Sequence, residues 1–254
     1  MATKELLKTT VFASLLVQVI TGILNLGVAL FDFKAFSFSD ESKILVKLLW
    51  LAIFVQIIEG IFYVWLANSF DFVKNITVYR YYDWFITTPT MLFILIVYLS
   101  YLNDKENKKD DDGKRINDLL LNKDDELDEK KVQTNLLLFL KDNRVLISII
   151  VILNALMLFF GFSGEMGWIS NTTAVGLGFI PFIAYFYIIY EFYAKHTQTG
   201  ILLFWVFTAI WALYGFSALA SYIPKNISYN ILDLVSKNFM EIYLSVVLLM
   251  VLRV

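Results

Sequence analysis

The chain reads as an all-α membrane protein, a seven-transmembrane helix bundle with its N-terminus outside. Three observations predict this. Mean hydropathy is +0.67, too apolar for an ordinary soluble domain. Seven apolar runs are long enough to cross a bilayer, which takes about 20 residues each. None shows the strict alternation of a membrane β-strand, and with no water to satisfy free backbone groups only helices remain as spans.

In order, the runs cover residues 10–31, 45–68, 79–102, 145–164, 174–194, 200–222 and 227–252. The first is long and lacks a small-residue cleavage site, so it is expected to be a retained helix rather than a signal peptide. The second carries Glu59, an acid at membrane depth that needs a polar neighbour or a proton. The third opens on Tyr79-Arg80-Tyr81-Tyr82-Asp83-Trp84 and holds Pro89, which opens the backbone ladder and permits a kink. The fourth and fifth end near Glu165 and Glu191, acids expected at the interface. The sixth holds Trp211 and Tyr214, and the seventh Asp233, Lys237 and Glu241.

Flanking charges set the orientation. Lys34, the cluster from Lys105 to Arg144, Lys195 and Arg253 fall on one side; Lys4, Lys8, Lys74, Arg80 and Lys225 fall on the other. The positive-inside tendency puts the N-terminus in the extracellular space and the C-terminus in the cytoplasm. Residues 1–254 are expected to form one multi-pass integral membrane domain, with a charged cytoplasmic insertion at about 103–143. That insertion has the composition of a solvated loop, and its Leu136–Leu140 stretch can form a short surface helix.

Composition also excludes classes of function. A net charge of -2 gives no sign of nucleic-acid binding. Without cysteine there are no disulfides, thiolate metal sites or cysteine nucleophiles. The one histidine, His196, cannot build a histidine metal cluster and reads as a loop residue. No metal is expected, and the chain is not read as an enzyme.

The polar groups at membrane depth carry the chemistry. A lysine near the middle of a span costs roughly 3 kcal/mol on insertion scales, so Lys237 calls for a partner or a chemical use. Asp233 is four residues earlier, on the same helix face. A buried lysine can form a Schiff base with an aldehyde; the plain alternative is an ion pair that only fixes helix packing. Arg80 and Asp83 are three residues apart and can interact, Thr87 lies one turn beyond Asp83 with a hydroxyl in reach of its carboxylate, and Asp83 can meet Lys237 inside a bundle. Trp84, Trp211, Tyr214, Tyr187 and Tyr190 fall deep in different spans, which would suit a flat, elongated apolar ligand.

Together these residues resemble the microbial (type I) rhodopsins. Arg80-Tyr81-Tyr82-Asp83-Trp84 with Thr87-Thr88-Pro89, Trp211-Ala212-Leu213-Tyr214, and Asp233 with Lys237 are the strongest matches, and the resemblance extends over all seven spans. It implies that Lys237 binds all-trans retinal as a protonated Schiff base. Asp83 would be the counterion and proton acceptor, Asp233 the second counterion, with Arg80 and Thr87 in support. Trp84, Thr88, Met91, Met157, Trp211 and Tyr214 would line the pocket. Family pumps often carry a cytoplasmic proton donor eleven residues after the counterion; here that position is Ile94. Gly215 stands where many members have proline, and the loop after the third span is unusually long.

The third-span run and Glu59 are most similar to rhodopsins of giant algal viruses, a subgroup with light-gated cation channels and pump-like members. The implied function is a retinal-binding, light-activated ion transporter, with the missing donor and Glu59 favouring a light-gated cation channel. The alternatives are an outward proton pump, with Glu59 or Glu241 as gate or donor, and a sensory photoreceptor signalling through 103–143. The implied partners are the bilayer, transported protons or cations, and further copies of the chain in a trimer or pentamer.

Overall fold

The computed structural model describes residues 3–30, 40–120 and 136–251, with side chains for 3–30, 43–106 and 136–251. Lys34 and Arg253, used above for orientation, lie outside the described residues. Seven helical stretches are long and apolar enough to cross a membrane: Lys4–Leu30, Lys43–Ser69, Ile76–Glu106, Arg144–Glu165, Asn171–Ala194, Gln198–Ser217 and Tyr222–Val251. The elements are α1 (Lys4–Leu30), α2 (Asp40–Ser69), α3 (Ile76–Leu120), α4 (Leu136–Asp142), α5 (Arg144–Glu165), α6 (Asn171–Ile189), α7 (Gln198–Ser217), α8 (Tyr222–Asp233) and α9 (Phe239–Val251). Two π turns interrupt this register. Tyr190–Ala194 extends α6, and Leu234–Asn238 joins α8 to α9 into the seventh span.

The helices close into a ring. α1 packs on α2 and on the seventh span, α2 on α3, α3 on α5, α5 on α6, α6 on α7, and α7 on α8. The faces are inverted relative to a soluble bundle. On α1, Ser14, Gln18, Thr21 and Asn25 recur every three or four residues and are all buried, while Leu16, Ile20, Ile23 and Leu24 face outward. The larger apolar core fills the half nearer the C-terminus, with Leu48, Leu95, Leu99, Phe204 and Leu248. A smaller one, with Leu7, Val11, Phe62, Leu66 and Ile76, closes the half nearer the N-terminus.

The stretch expected to be a solvated loop from 103 is helical to Leu120, as a continuation of α3. No proline follows Pro89 before Gly113, glutamate and lysine are good helix formers, and the span has already supplied the costly nucleus. The short helix expected over Leu136–Leu140 is α4, whose buried Phe139 packs edge-on against Phe93. Residues 121–135 of the insertion are outside the described residues.

The ends of the spans are set locally. Ser170 caps α6 by accepting from the Thr173 amide, and Thr197 caps α7 by accepting from the Gly200 amide. Gly167, at φ 74°, makes the left-handed turn between α5 and α6. On the same face of the bundle, hydrogen bonds from Lys8 and Lys4 hold the exposed Asp71 carboxyl below the usual carboxylate range. The α5–α6 contact is close: a Cβ on Gly164 would stand 2.6 Å from the Ala174 Cβ. Gly164→Ala is therefore expected to cost about 1–3 kcal/mol through forced backbone movement, read as a lower thermal midpoint in detergent. Gly60, where a Cβ would meet nothing within 4 Å, is the control: Gly60→Ala should not lower the midpoint.

Candidate functional site

Three helices deliver acids to one amine. Lys237 projects from the π turn of the seventh span, Asp83 from α3, Glu59 from α2 and Asp233 from the last turn of α8. The Lys237 Nζ is 2.7 Å from Asp83 Oδ2, 3.5 Å from Glu59 Oε1 and 3.8 Å from Asp233 Oδ1. All four side chains are buried. The expected meeting of Asp83 and Asp233 around one cation is found, and Glu59 joins them as a third carboxylate.

The three acids are not equivalent. Asp233 is saturated: its carboxylate accepts from Arg80 Nη1 at 3.0 Å, from Tyr63 at 2.9 Å and from Tyr214 at 2.9 Å. Asp83 has Lys237 as its hydrogen-bond donor, and its Oδ1 has no protein partner. Neither oxygen of Glu59 is hydrogen-bonded. Arg80 and Lys237 supply two cations against three carboxylates. A low-dielectric interior tolerates the surplus negative charge only with an added proton or cation.

Two expected contacts differ. Arg80 does not turn to Asp83. Its guanidinium reaches Asn226 at 3.3 Å, Tyr63 at 3.2 Å and Asn230, besides Asp233. Asn226, Asn230 and Asp233 recur every three or four residues on α8, a ladder of acceptors that outcompetes a single carboxylate on Arg80's own helix. Thr87 is buried, but its hydroxyl donates to the Asp83 backbone carbonyl at 3.0 Å, the local back-bond that threonine makes within a helix, and not to the carboxylate.

Beside Lys237 lies a predominantly apolar cavity, the usual character of a small-molecule pocket. Trp84, Thr88, Met91, Met157, Trp211 and Tyr214, the six expected lining residues, all border it, and Lys237 borders it too. Its walls are thinned by glycine: a Cβ on Gly215 would stand 2.8 Å from the Phe179 ring, and one on Gly161 2.5 Å from the Tyr81 hydroxyl oxygen. Trp84 meets Tyr214 and Tyr229 edge-on, at centroid distances of 5.4 and 5.0 Å. Thr88 accepts from Asn154 Nδ2 at 2.8 Å. Such a cavity, apolar along its length and opening on an amine flanked by carboxylates, fits an elongated polyene aldehyde. Tyr187 and Tyr190 do not join it: Tyr187 faces outward, and Tyr190 packs on Phe204 and Trp205.

Glu191 pairs with Lys195 at an exposed span end, as expected. Glu165, the last residue of α5, is at a span end too, and pairs with Lys225 at 2.6 Å, tying α5 to α8. The seventh span begins at Tyr222, earlier than expected, and so carries Lys225 inward. Glu241 is buried and accepts from Asn25 Nδ2 at 2.9 Å. Asn154, Tyr63 and the amides of α2 and α8 carry no signal in the local sequence, whereas the spacing of Ser14, Gln18, Thr21 and Asn25 marks the buried face of α1.

These features define a seven-helix membrane protein built around a buried lysine and its counterions. The chain belongs to the bacteriorhodopsin-like protein family, whose sequence model matches residues 11–249. No curated protein sequence matches it. Among solved structures it is similar to the viral rhodopsin OLPVRII, at 25% identity over 97% of this chain and 99% of that one, with a TM-score of 0.73. It shares its fold with the blue light-absorbing proteorhodopsin from Med12, at 14% identity over 98% of each chain and a TM-score of 0.65. Xanthorhodopsin, a light-driven ion pump with dual chromophore, is 15% identical over 98% of this chain and 94% of that one, with a TM-score of 0.63. Proteins of this family bind a retinal chromophore, and the residues around the cavity fit one.

Proposed function

We propose that the chain is a light-gated cation channel that holds all-trans retinal through Lys237. Retinal supplies light absorption and a change of shape beside Lys237. Asp83 and Asp233 hold the positive charge at the lysine nitrogen, Asp83 with an oxygen left to accept a proton. Arg80, Tyr63 and Tyr214 hold the Asp233 carboxyl in place. Trp84, Thr88, Met91, Met157, Trp211 and Tyr214 orient the polyene and exclude water.

The observation that carries the channel reading is a buried polar seam between α1, α2 and the seventh span. From the end nearer the N-terminus it runs through Asn226 and Thr77, 2.9 Å apart, and Asn230 and Thr10, 2.8 Å apart. At mid-depth Gln56 donates to Thr21 at 2.7 Å and to Asn238 at 3.3 Å, one turn from Glu59. Toward the C-terminus it ends in Asn25, Glu241 and Ser245. The corresponding stretch of α3 is largely apolar, with Ile94, Leu95, Val97 and Leu99 buried beside Tyr98, whose hydroxyl meets that of Tyr243 at 3.0 Å. Polar groups inside a membrane mark ion pathways, and in the half nearer the C-terminus they follow α1, α2 and the seventh span rather than α3.

The second reading, an outward proton pump, is favoured by Asp83, whose bond to Lys237 and free Oδ1 suit a proton acceptor. In either reading the N-terminus is extracellular, the C-terminus cytoplasmic, and residues 1–254 one domain that assembles as a trimer or pentamer in the bilayer. A signalling role through 103–143 has no comparable support. Whole-cell photocurrent against voltage separates the first two. The channel reading predicts currents that reverse, at a voltage that moves with the cation gradient. Outward current at every voltage, with light-driven acidification of the medium, would make the protein a pump.

A further inference from the structure

We propose that Glu241, held by Asn25 and Ser245, is a proton-binding site in the seam, and that protons rather than metal cations are handed across it. The inference rests on the reading of the chain as a light-activated ion transporter. Glu241 is 1% exposed. Its Oε2 accepts from Asn25 Nδ2 at 2.9 Å, and Ser245 donates to Asn25 Oδ1 at 2.8 Å. The serine fixes which way the amide points, and the amide fixes the carboxylate. The other oxygen, Oε1, has no protein partner.

A second observation points the same way. Gln18 Oε1 and Nε2, Gln56 Oε1 and Asn238 Nδ2 are also buried without protein partners. Gln56 is one turn from Glu59, Asn238 one turn from Glu241, and Gln56 donates to the Gln18 carbonyl at 2.9 Å. Buried polar atoms of this kind are ordinarily met by solvent or by a ligand. Of the ionisable groups on the surrounding elements, Lys237 and Glu59 lie toward mid-depth, and Lys43 and Lys47 on α2 lie toward the end nearer the C-terminus.

The donor set selects the cargo. A hard metal cation stripped of water requires about six or more oxygens around it. Here one carboxylate oxygen is free, and no group of three or more acids, histidines or cysteines placed to hold a metal occurs among the described residues. A proton needs only the one oxygen. The O–H bond at Oε1 breaks with its electron pair left on the carboxylate, and the proton passes to the next acceptor toward Glu59. A proton from the opposite end of the seam restores the acid. This route replaces the α3 donor position, which is Ile94.

The test uses the retinal-loaded full chain in lipid vesicles, by light-minus-dark infrared spectroscopy, and in cells under separate pH and sodium gradients. A carboxylic C=O difference band should appear in the parent, vanish in Glu241→Gln and move in frequency in Asn25→Ala. The photocurrent should follow the pH gradient and fall by about a hundredfold or more in Glu241→Gln, the scale for losing a positioned proton-transfer group. A band untouched by Glu241→Gln overturns the proposal, as does a reversal voltage that tracks sodium. Should Glu241→Gln fail to fold, a band that moves in neither Asn25→Ala nor Ser245→Ala overturns it. A band lost in Glu241→Gln from a parent without passive photocurrent supports the proton site while the channel reading fails.

Discussion

Arg80→Gln is expected to destabilise the bundle by about 3–5 kcal/mol, the cost of breaking a buried ion pair from one side. Arg80 is fully buried and donates to Asp233, Tyr63, Asn226 and Asn230, linking α3 to α2 and α8. Glutamine is too short to span these partners. Asp233 would keep its hydrogen bonds from Tyr63 and Tyr214 but lose the cation at 3.0 Å. Unfolding in denaturing detergent, followed by circular dichroism, measures the loss. The double variant Arg80→Gln/Asp233→Asn should recover much of it, because it removes the stranded charge along with the cation; strictly additive losses would show that the pair is uncoupled.

Lys237→Ala removes the other cation and is expected to be comparably costly, about 3–5 kcal/mol. Asp83 and Glu59, 2.7 and 3.5 Å from the amine, would be left facing Asp233 in a buried site. Lys237→Ala/Asp83→Asn should regain part of the stability. Lys237→Arg separates the amine's two roles. A guanidinium keeps the positive charge but does not deprotonate to attack an aldehyde. Lys237→Arg should therefore unfold later than Lys237→Ala while remaining equally unable to bind retinal covalently. Equal unfolding of the two would mean that the charge at this position is not what holds the acids together.

Much of this was legible in the sequence, for a physical reason. A bilayer demands long apolar helices, so the spans stand out by length. It also penalises every charge within them, so Lys237, Asp83, Asp233 and Glu59 stand out by type. The six pocket residues came from motif resemblance, and all six border the cavity. What stayed hidden depends on which helix faces which. The choice of Asp233 over Asp83 by Arg80 is made by Asn226 and Asn230 on α8, residues whose amides look unremarkable in isolation. The Glu165–Lys225 ion pair depends on Lys225 reaching across from a span that starts a turn early. The helical course of 103–120 was obscured by composition, since charged residues serve a solvated helix as well as a solvated loop.

The covalent role of Lys237 is most directly tested by visible absorbance after the full chain and Lys237→Ala are each purified with all-trans retinal. The account predicts a coloured parent, bleached by hydroxylamine in light, and a colourless variant. A parent that stays colourless, or a Lys237→Ala variant that colours as strongly, would contradict it.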